Sequence, residues 1–421
     1  MARMNLAQWL EHIERQHPSA IALGLERVRE VAARMGLGKP AAQVVTVAGT
    51  NGKGSTVAFV EAIARAAGWK VGAYTSPHLS RYNERVRIDG EDASDEALAD
   101  AFAAVEAARG DVPLTYFEYG TLAALWLFQR ASLDLAVLEV GLGGRLDAVN
   151  IVDPDVAVIT TVDIDHTDWL GADREAIGHE KAGIARAWKP LVLGEVTAPS
   201  SVLAHAYAIG AGVIQLGNDF FHEPAGEGRW RWREVGAELD LPDPQLAAPV
   251  QRANAATAIA ALRALPHSPP ESAYAAGVAA AGLPGRLQSF DRGGVEVVVD
   301  VAHNPQAARE LAAWLRARPA AAGTAAVLAV LADKDAAAIV EPLAAEIARW
   351  HLAGLEGARG QDVGAFAARL EGTAAAGGSR DPGVAAALAR ALEAAPPGGR
   401  VLVFGSFLTA AAALDALHSG R

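Results

Sequence analysis

Residues 47–56, which read VAGTNGKGST, combine glycine, lysine and hydroxyl side chains in the way that phosphate-binding loops do. The usual pattern is G-x-x-x-x-G-K-S/T, but here Gly54 stands between Lys53 and Ser55. The lysine would reach the β- and γ-phosphate oxygens, and the serine could position a magnesium ion. Taken alone, such a turn could also be a tight strand-to-helix connection whose lysine is only solvated.

The flanking sequence favours nucleotide binding. The apolar run 44–49 predicts a strand and the stretch from Lys53 predicts a helix, which is the context that a phosphate loop requires. Backbone N–H groups at the start of such a helix can converge on phosphate oxygens. The sequence therefore predicts a nucleotide site made by Thr50, Asn51, Gly52, Lys53, Gly54 and Ser55.

Three polar side chains lie within or just after further apolar runs that predict strands, namely Ser76, Glu139 and His166. In a doubly wound sheet the carboxyl ends of the strands meet at one edge, where ligands bind. A hydroxyl, a carboxylate and an imidazole at that edge could bind Mg²⁺. Histidine is an unusual ligand for this ion, which prefers oxygen, so a polar contact at a strand end is the commoner role for His166.

The composition restricts the class of protein. The chain has 421 residues, of which 51% are hydrophobic, so it can bury a large core. No run reaches the roughly 18 apolar residues of a membrane helix, and the charged N-terminus does not resemble a signal peptide. The absence of cysteine excludes thiolate chemistry, and the net charge of -12 argues against a broad nucleic-acid-binding face. We therefore expect a soluble cytoplasmic protein with small-molecule ligands.

Short apolar runs alternate with helix-length segments along most of the chain. The runs are apolar on consecutive residues, which is typical of parallel strands buried on both faces. A break rich in glycine and proline at 280–290 predicts two α/β domains: a P-loop domain with a doubly wound, mostly parallel sheet (1–284) and a smaller Rossmann-like domain (285–421). Residues 220–242 predict an exposed hairpin. The apolar runs are 44–49, 70–77, 135–140, 156–165, 190–195, 295–305, 325–335, 349–357 and 400–407.

The stretch GTNGKGST resembles the loop of the Mur ligase superfamily, whose members use ATP to join a carboxylate to an amino acid. The resemblance extends along nearly the whole chain and is specific to the folylpolyglutamate synthase/dihydrofolate synthase family. It depends on long segments in a fixed order, which are IALGLERV (21–28), YTSPHLSRYNERVRIDG (74–90), LTYFEYGTLAALWLF (114–128), LEVGLGGRLDAVNIV (138–152), DHTDWLG (165–171), EKAGI (180–184), LPGRLQ (283–288), DVAHNP (300–305) and GSF (405–407).

The resemblance implies ATP and two Mg²⁺ ions as cofactors. Ser76, Glu139 and His166 match the family's metal ligands. Lys181 matches a lysine that carbon dioxide converts into an anionic carbamate able to hold the second ion. From the residues alone, Lys181 in HEKAGI is more simply a surface lysine on a helix. Lys53, Lys181 and His166 are the residues that the resemblance implicates in catalysis.

Two further sets of residues gain a role from the resemblance. Asn254, Arg286 and Asp300 match residues that contact ATP. From the residues alone, Asn254 could be an ordinary helix cap, while the position of Arg286 in a Gly/Pro hinge itself favours a contact with phosphates. In similar proteins two other segments line the dihydropteroate pocket, while by default they would be core and turn residues. These are Thr115, Tyr116, Phe117 and Glu118, and Leu146, Asp147 and Ala148.

The resemblance thus implies an ATP-dependent ligase, usually monomeric, that adds L-glutamate to 7,8-dihydropteroate and to reduced folates through an acyl phosphate. Two alternatives stay open: a folylpolyglutamate synthase without the first activity, and a P-loop nucleotide switch that is not a ligase. A cell-wall Mur ligase is disfavoured, because those enzymes carry an additional N-terminal domain and only 48 residues precede Gly49.

Overall fold

The computed structural model describes residues 4–17, 21–357 and 359–419. They form two compact units. The first comprises the chain up to Gln245 together with Gln251–Gly282, and the second comprises Leu246–Val250 together with the chain from Leu283. None of the described helices is long and apolar enough to cross a membrane.

One sheet of eight strands forms the centre of the first unit. The strands are β1 (Ala41–Ala48), β2 (Val71–Tyr74), β3 (Val86–Ile88), β4 (Glu91–Asp92), β5 (Leu133–Glu139), β6 (Val156–Ile159), β7 (Pro190–Leu193) and β8 (Gly212–Gln215). Their spatial order is β4-β3-β2-β5-β1-β6-β7-β8, and only the β4–β3 and β3–β2 pairs are antiparallel. The predicted doubly wound, mostly parallel sheet is therefore confirmed.

Helices cover both faces of this sheet. They are α1 (Leu6–Glu14), α2 (Glu26–Arg34), α3 (Lys53–Ala66), α4 (Asp95–Arg109), α5 (Tyr116–Ala131), α6 (Thr167–Leu170), α7 (Arg174–Ala182), α8 (Ser200–Ile209), α9 (Gln251–Arg263) and α10 (Glu271–Ala280), with short 3₁₀ turns at Tyr82–Arg85 and Ala148–Ile151. In β1, Val44 and Ala48 pack in one hydrophobic cluster with residues of α1, α2, α4 and α5, whereas Val45 and Val47 point to the opposite face. All four are fully buried, which explains why the strand is apolar on consecutive residues.

The register of the sheet brings four strand ends to one level. Tyr74 of β2 pairs with Leu138 of β5, and Ala48 of β1 pairs with Ile159 of β6. Between them, Val47 of β1 pairs with Glu139 of β5. The residues that follow β1, β2, β5 and β6 consequently share one edge of the sheet.

The apolar run 156–165 is a strand only as far as Ile159. The Thr160 N–H still donates to the Ala48 carbonyl of β1, at 2.9 Å, but beyond it the chain bonds to the loop after β1: the Thr161 carbonyl accepts the Thr50 N–H at 2.7 Å. The Thr160 hydroxyl likewise donates to the Asn51 carbonyl at 2.6 Å. Local hydrophobicity predicts a longer strand because it does not reveal this competing partner.

The prediction of an exposed hairpin at 220–242 is wrong. This segment forms a separate three-stranded antiparallel sheet, with β9 (Phe220–Pro224), β10 (Arg229–Glu234) and β11 (Ala237–Pro242). Trp230 and Trp232 are fully buried, and the indole N–H of Trp232 donates to the Ala256 carbonyl of α9 at 3.2 Å. Because side chains alternate along a strand, the arginines of RWRWRE take the other face.

The second unit is a smaller α/β layer structure. Its strands are β12 (Gln288–Arg292), β13 (Val295–Val299), β14 (Thr324–Leu328), β15 (Arg349–Ala353), β16 (Ser379–Asp381) and β17 (Arg400–Phe404). Their order is β12-β13-β17-β14-β15-β16, and only β12 is antiparallel to its neighbour. Its helices are α11 (Pro305–Ala317), α12 (Ala336–Val340), α13 (Val363–Ala368), α14 (Val384–Ala394) and α15 (Phe407–His418), with a 3₁₀ turn at Glu341–Leu343. The predicted Rossmann-like class is confirmed.

The contact between α10 and α3 provides a test of the packing, because α3 begins at the phosphate loop. A Cβ added at Gly277 of α10 would lie 2.3 Å from Cα of Ile63 in α3. We expect Gly277→Ala to lower the free energy of unfolding by about 1–3 kcal/mol, through overpacking. Gly212→Ala is the matched control, since nothing lies within 4 Å of its added Cβ. Equal urea midpoints for the two variants would contradict this packing.

Candidate active site

The loop after β1 has the geometry of an anion site. Gly52 is the N-cap of α3 and has φ +84°, in the left-handed region that glycine adopts without strain. Its carbonyl accepts the Thr56 N–H at 2.8 Å, which closes the first turn of the helix. The earlier amides of a helix have no carbonyl within it, so those of Lys53 to Ser55 are oriented towards a ligand at the N-terminus.

Two side chains from other elements hold this loop in place. A Cβ at Gly49 would lie 1.8 Å from the Thr160 hydroxyl, and a Cβ at Gly52 would lie 2.6 Å from Oδ1 of Asn254. Asn254 is therefore not a helix cap: it lies inside α9, is 6% exposed and donates to Gln251 at 2.9 Å. The structure thus brings the predicted nucleotide residue Asn254 to the loop. Thr160 is a supporting residue that sequence reasoning missed.

Two amines share one backbone acceptor beside the loop. Nζ of Lys53 donates to the Gly49 carbonyl at 3.0 Å and to that of Thr50 at 3.2 Å. Nζ of Lys181, in α7, donates to the same Gly49 carbonyl at 3.1 Å. Lys181 is only 3% exposed, so its interpretation as a surface lysine is wrong. The sequence does not show this burial, because HEKAGI has no apolar pattern that distinguishes it from an exposed helix.

The environment of Lys181 favours the neutral amine. Burial, together with the nearby Lys53 cation, lowers the pKa of Lys181 to about 7, against the opposite effect of Asp165 and Asp147. Only an unprotonated amine can add carbon dioxide. The chemistry that the resemblance implies at this position therefore has a physical basis in the structure.

Two of the three predicted metal ligands, Ser76 and Glu139, are in contact at the shared edge of the sheet. Glu139 ends β5, Ser76 follows the adjacent β2, and the Ser76 N–H donates to Oε2 of Glu139 at 3.1 Å. His166 precedes α6 with φ +52°, and its N–H donates to Oδ1 of Asp165 at 2.8 Å. Within the described residues, no three His, Asp or Glu side chains converge as a metal site. The Ser76 hydroxyl and the Glu139 carboxylate are oxygen donors of the kind that Mg²⁺ prefers, whereas His166 is not.

At the start of α5, some side chains stabilise the helix and one is only half-buried, so that it could contact a ligand. Thr115 and Glu118 form a capping box, with the Thr115 N–H donating to Glu118 at 2.7 Å and the Glu118 N–H donating to Thr115 at 3.2 Å. Glu118 also pairs with Arg27 at 2.8 Å. Phe117 is half-buried, and its ring lies so close to Gly141 that a Cβ there would be 2.6 Å from Cζ. Of these residues, Phe117 is the one placed to form an aromatic wall.

Asp147 is buried next to this wall. Its carboxylate accepts the N–H groups of Leu142 at 2.8 Å and Val149 at 3.1 Å. Burial raises the pKa of Asp147 to about 7 in spite of these bonds. The Leu146 carbonyl accepts the Gly24 N–H at 3.4 Å, so segment 21–28 lies beside the turn that carries Asp147. Sequence reasoning used IALGLERV as a motif but gave it no place in the site.

The second unit holds Arg286 and Asp300 in one cluster. Asp300 accepts the N–H groups of Leu287 and Ala302, each at 2.8 Å. Its burial raises the pKa of the carboxyl, and the Arg286 guanidinium opposes this shift. Arg286 also lies over the ring of Phe407, 5.3 Å from its centre. The structure thus brings these two predicted residues together, while their contact with a nucleotide stays a prediction.

Comparison with known proteins identifies this arrangement. Residues 47–194 match the family described as Mur ligase middle domain, and residues 285–407 match the one described as Mur ligase, glutamate ligase domain. These two matches, with the phosphate loop and the second α/β unit, define an ATP-dependent ligase of the Mur type.

Individual relatives make the family assignment more specific. A dihydrofolate synthase/folylpolyglutamate synthase of Escherichia coli strain K12 is 48% identical over 99% of this chain and 96% of its own length. The structure of E. coli FolC in complex with DHPP and ADP has a TM-score of 0.94 at 46% identity, covering 100% of this chain and 99% of that one. The Yersinia pestis bifunctional folylpolyglutamate synthase/dihydrofolate synthase complexed with AMPPNP and Mn has a TM-score of 0.92 at 45% identity, covering 99% of both. The chain belongs to the dihydrofolate synthase/folylpolyglutamate synthase family, as the sequence predicts.

Alanine variants of two glycines distinguish the effect of backbone strain from an effect on ligand binding at the loop. Gly52 (φ +84°) and Gly68 (φ +82°) both have left-handed backbones, but only the Cβ of an alanine at position 52 would meet Asn254. We expect each Gly→Ala variant to lose about 1–2 kcal/mol of stability. Gly52→Ala should also weaken ATP binding by roughly tenfold or more, while Gly68→Ala keeps wild-type affinity. Calorimetric titration with ATP checks this, and equal affinities would argue against a loop site.

The lowered pKa of Lys181 predicts a pH-dependent stability. Below about pH 7 the amine is protonated in both states, so folding bears the full cost of burying a cation. As the pH rises towards about 10, the unfolded chain binds the extra proton and the wild type gains stability. Lys181→Met should therefore be more stable than wild type at pH 6, by roughly 3–5 kcal/mol, with an advantage that shrinks towards pH 10.

Urea unfolding in buffer without metal or bicarbonate measures this difference. Lys70→Met, at an exposed lysine, is the control and should show no such trend. A pH-independent difference for Lys181→Met would mean that the amine has the same pKa in the folded and unfolded states, and would contradict the lowered pKa of Lys181.

Proposed function

We propose that this chain joins L-glutamate to 7,8-dihydropteroate and to reduced folates, using ATP. The observation that carries the proposal is the meeting of a phosphate loop with the buried Lys181 at the Gly49 carbonyl, on the sheet edge that also holds Glu139. Relatives of the same family whose structures contain DHPP with ADP, or AMPPNP with Mn, support it.

The chemistry follows from the weakness of a carboxylate as an electrophile. Transfer of the γ-phosphoryl group of ATP to the acceptor carboxylate forms an acyl phosphate. The α-amine of glutamate then attacks the acyl carbon, and the tetrahedral intermediate collapses to an amide and inorganic phosphate. Phosphoryl transfer calls mainly for positioning and neutralisation of charge, which is what a glycine-rich loop and its lysine provide.

The residues of the loop bind the triphosphate in this proposal. The amides from Thr50 to Ser55 surround the phosphates, and Nζ of Lys53 exchanges its loop carbonyls for the β- and γ-oxygens. Asn254, which already contacts Gly52, contacts the nucleotide. Arg286 and Asp300 of the second unit act on the same nucleotide.

Magnesium supplies neutralisation of the phosphates and of the reacting carboxylate when it is bound. Ser76, Glu139, His166 and carboxylated Lys181 would hold it, in two sites. Carbamate formation consumes the neutral amine that burial favours at Lys181. The resulting anion suits an oxygen-preferring cation better than any lysine does.

The acceptor occupies the pocket beside α5. Phe117, with Tyr116, provides the aromatic wall for a pteridine ring, and buried Asp147 provides a polar edge contact. Leu146 and Ala148 flank Asp147, while Thr115 and Glu118 fix the helix start. We further propose a cytoplasmic monomer without a nucleic-acid partner, in keeping with the net charge of -12.

A turnover assay with two acceptors tests the function. We expect phosphate release that depends on ATP, Mg²⁺ and L-glutamate with both dihydropteroate and tetrahydrofolate, and a product heavier by one glutamate in each case. Release with tetrahydrofolate alone would reduce the function to a folylpolyglutamate synthase. Nucleotide hydrolysis that ignores every acceptor would favour a P-loop switch.

A further inference from the structure

Arg85 occupies a distinctive position at the edge of the sheet. It ends the 3₁₀ turn that precedes β3, and its carbonyl accepts the Thr75 N–H at 2.9 Å, next to Ser76. Its Nε donates to Nδ1 of His78 at 2.9 Å. The guanidinium is thereby fixed beside the loop that carries a proposed metal ligand.

This guanidinium is buried without an anion. Arg85 is 9% exposed, and among the described residues no carboxylate lies within ion-pair distance of it. The other strongly buried arginine, Arg400, pairs with Glu296 at 2.7 Å, and the neighbouring Arg87 pairs with Glu61 at 2.6 Å. A buried cation that lacks a partner is costly for folding.

The groups around Arg85 do not remove its charge. Because a guanidinium stays protonated and only donates, Nδ1 of His78 must be the unprotonated, accepting nitrogen of its ring. The rings of Tyr82 and Tyr116 lie 5.3 and 5.6 Å from the guanidinium carbon. Such cation–π contacts offset only part of the cost of burial. The site therefore suits an anionic ligand.

The same rings connect Arg85 to the acceptor pocket. Tyr116 is the residue before Phe117 at the start of α5, and Phe117 lies 5.9 Å from the ring of Tyr74. Tyr74 ends β2, two residues before Ser76. Arg85 thus lies between the proposed pteridine wall and the edge of the sheet where the acceptor carboxylate must react.

We propose that Arg85 determines specificity by binding the α-carboxylate of an acceptor that already carries glutamate. This inference depends on the proposed function. It assigns Arg85 a role with one of the two acceptors, the folate, and not with dihydropteroate. Dihydropteroate has one carboxylate, which reacts, whereas a folate that carries glutamate has a second one that does not react. A planar guanidinium pairs with both oxygens of such a group.

The reacting carboxylate is a poorer partner for Arg85. One of its oxygens must attack the γ-phosphorus, and a two-point pair with a guanidinium would hold both oxygens. Lys53 at the phosphate loop already offers a cation to the reacting groups. The non-reacting carboxylate has no comparable partner among the residues assigned to the site.

Arg85→Met tests the inference by comparing acceptors in the turnover assay. We expect KM for tetrahydrofolate to rise roughly 10- to 100-fold, from the loss of a charged hydrogen-bonded pair. KM for dihydropteroate and for L-glutamate should stay within about twofold of wild type, as should kcat with dihydropteroate. Arg85→Lys keeps the positive charge but loses the two parallel N–H donors of the guanidinium, so its KM for tetrahydrofolate should lie between those of wild type and Arg85→Met. Arg81→Met is the control, because Arg81 is exposed and pairs with Asp95.

Thermal unfolding separates this function from a structural role. Removal of an uncompensated buried charge should leave the midpoint of Arg85→Met unchanged or raise it. A lower midpoint together with equal losses for both acceptors would show that Arg85 only supports the turn, and would overturn the inference. A higher KM for L-glutamate with both acceptors would assign its carboxylate to the incoming amino acid, and would also overturn it.

If the proposed function itself is wrong, the wild-type protein will release no phosphate with either acceptor, which differs from all the outcomes above. In that event, the affinity for tetrahydrofolate, measured by tryptophan fluorescence for wild type and Arg85→Met, still decides the inference. Equal affinities of the two proteins would overturn it. The chain has 9 tryptophans to report binding.

Discussion

The carbonyl oxygen of Gly49 is the acceptor on which the site depends. It receives the amines of both Lys53 and Lys181, at 3.0 and 3.1 Å. Two amines at one acceptor repel each other when both are charged, and this adds to the effect of burial on the pKa of Lys181. The backbone reaches this position because glycine leaves room for the Thr160 hydroxyl. Phosphate binding and the neutral lysine therefore originate from the same loop.

Among the residues that the structure describes, several buried ionisable groups at the edge of the sheet have no side chain of opposite charge paired with them. Asp147 is held by backbone N–H groups and has a pKa raised to about 7, while Arg85 is buried beside an uncharged imidazole. Elsewhere in the same unit a buried charge is matched, as Arg87 is by Glu61. Incomplete pairing of a buried charge costs stability, and a matched pair such as Arg87 with Glu61 avoids that cost. Such groups therefore distinguish the site from the core around it.

Much of the fold could be predicted from local patterns. Runs such as 44–49 are apolar on consecutive residues because parallel strands are buried on both faces, and this signal is local. The same reasoning placed Ser76 and Glu139 together, since strand ends share an edge. It failed for 220–242, where the alternation of arginine and tryptophan marks one buried face and the partner surface is supplied by α9, at a distance in sequence.

The sequence by itself determined the order of strands and helices, the phosphate loop and the family, because spacing and residue type carry that information. Tertiary structure alone decided the environments of the charged groups. Lys181, Asp147 and Arg85 are all buried, and Lys181 reaches the Gly49 carbonyl while Arg85 lies beside Tyr116, both of which are remote along the chain. The protonation state of such a side chain, and whether it needs a partner of opposite charge, depend on how far it is buried and on which charges lie near it in the folded structure. A local sequence pattern does not contain this information.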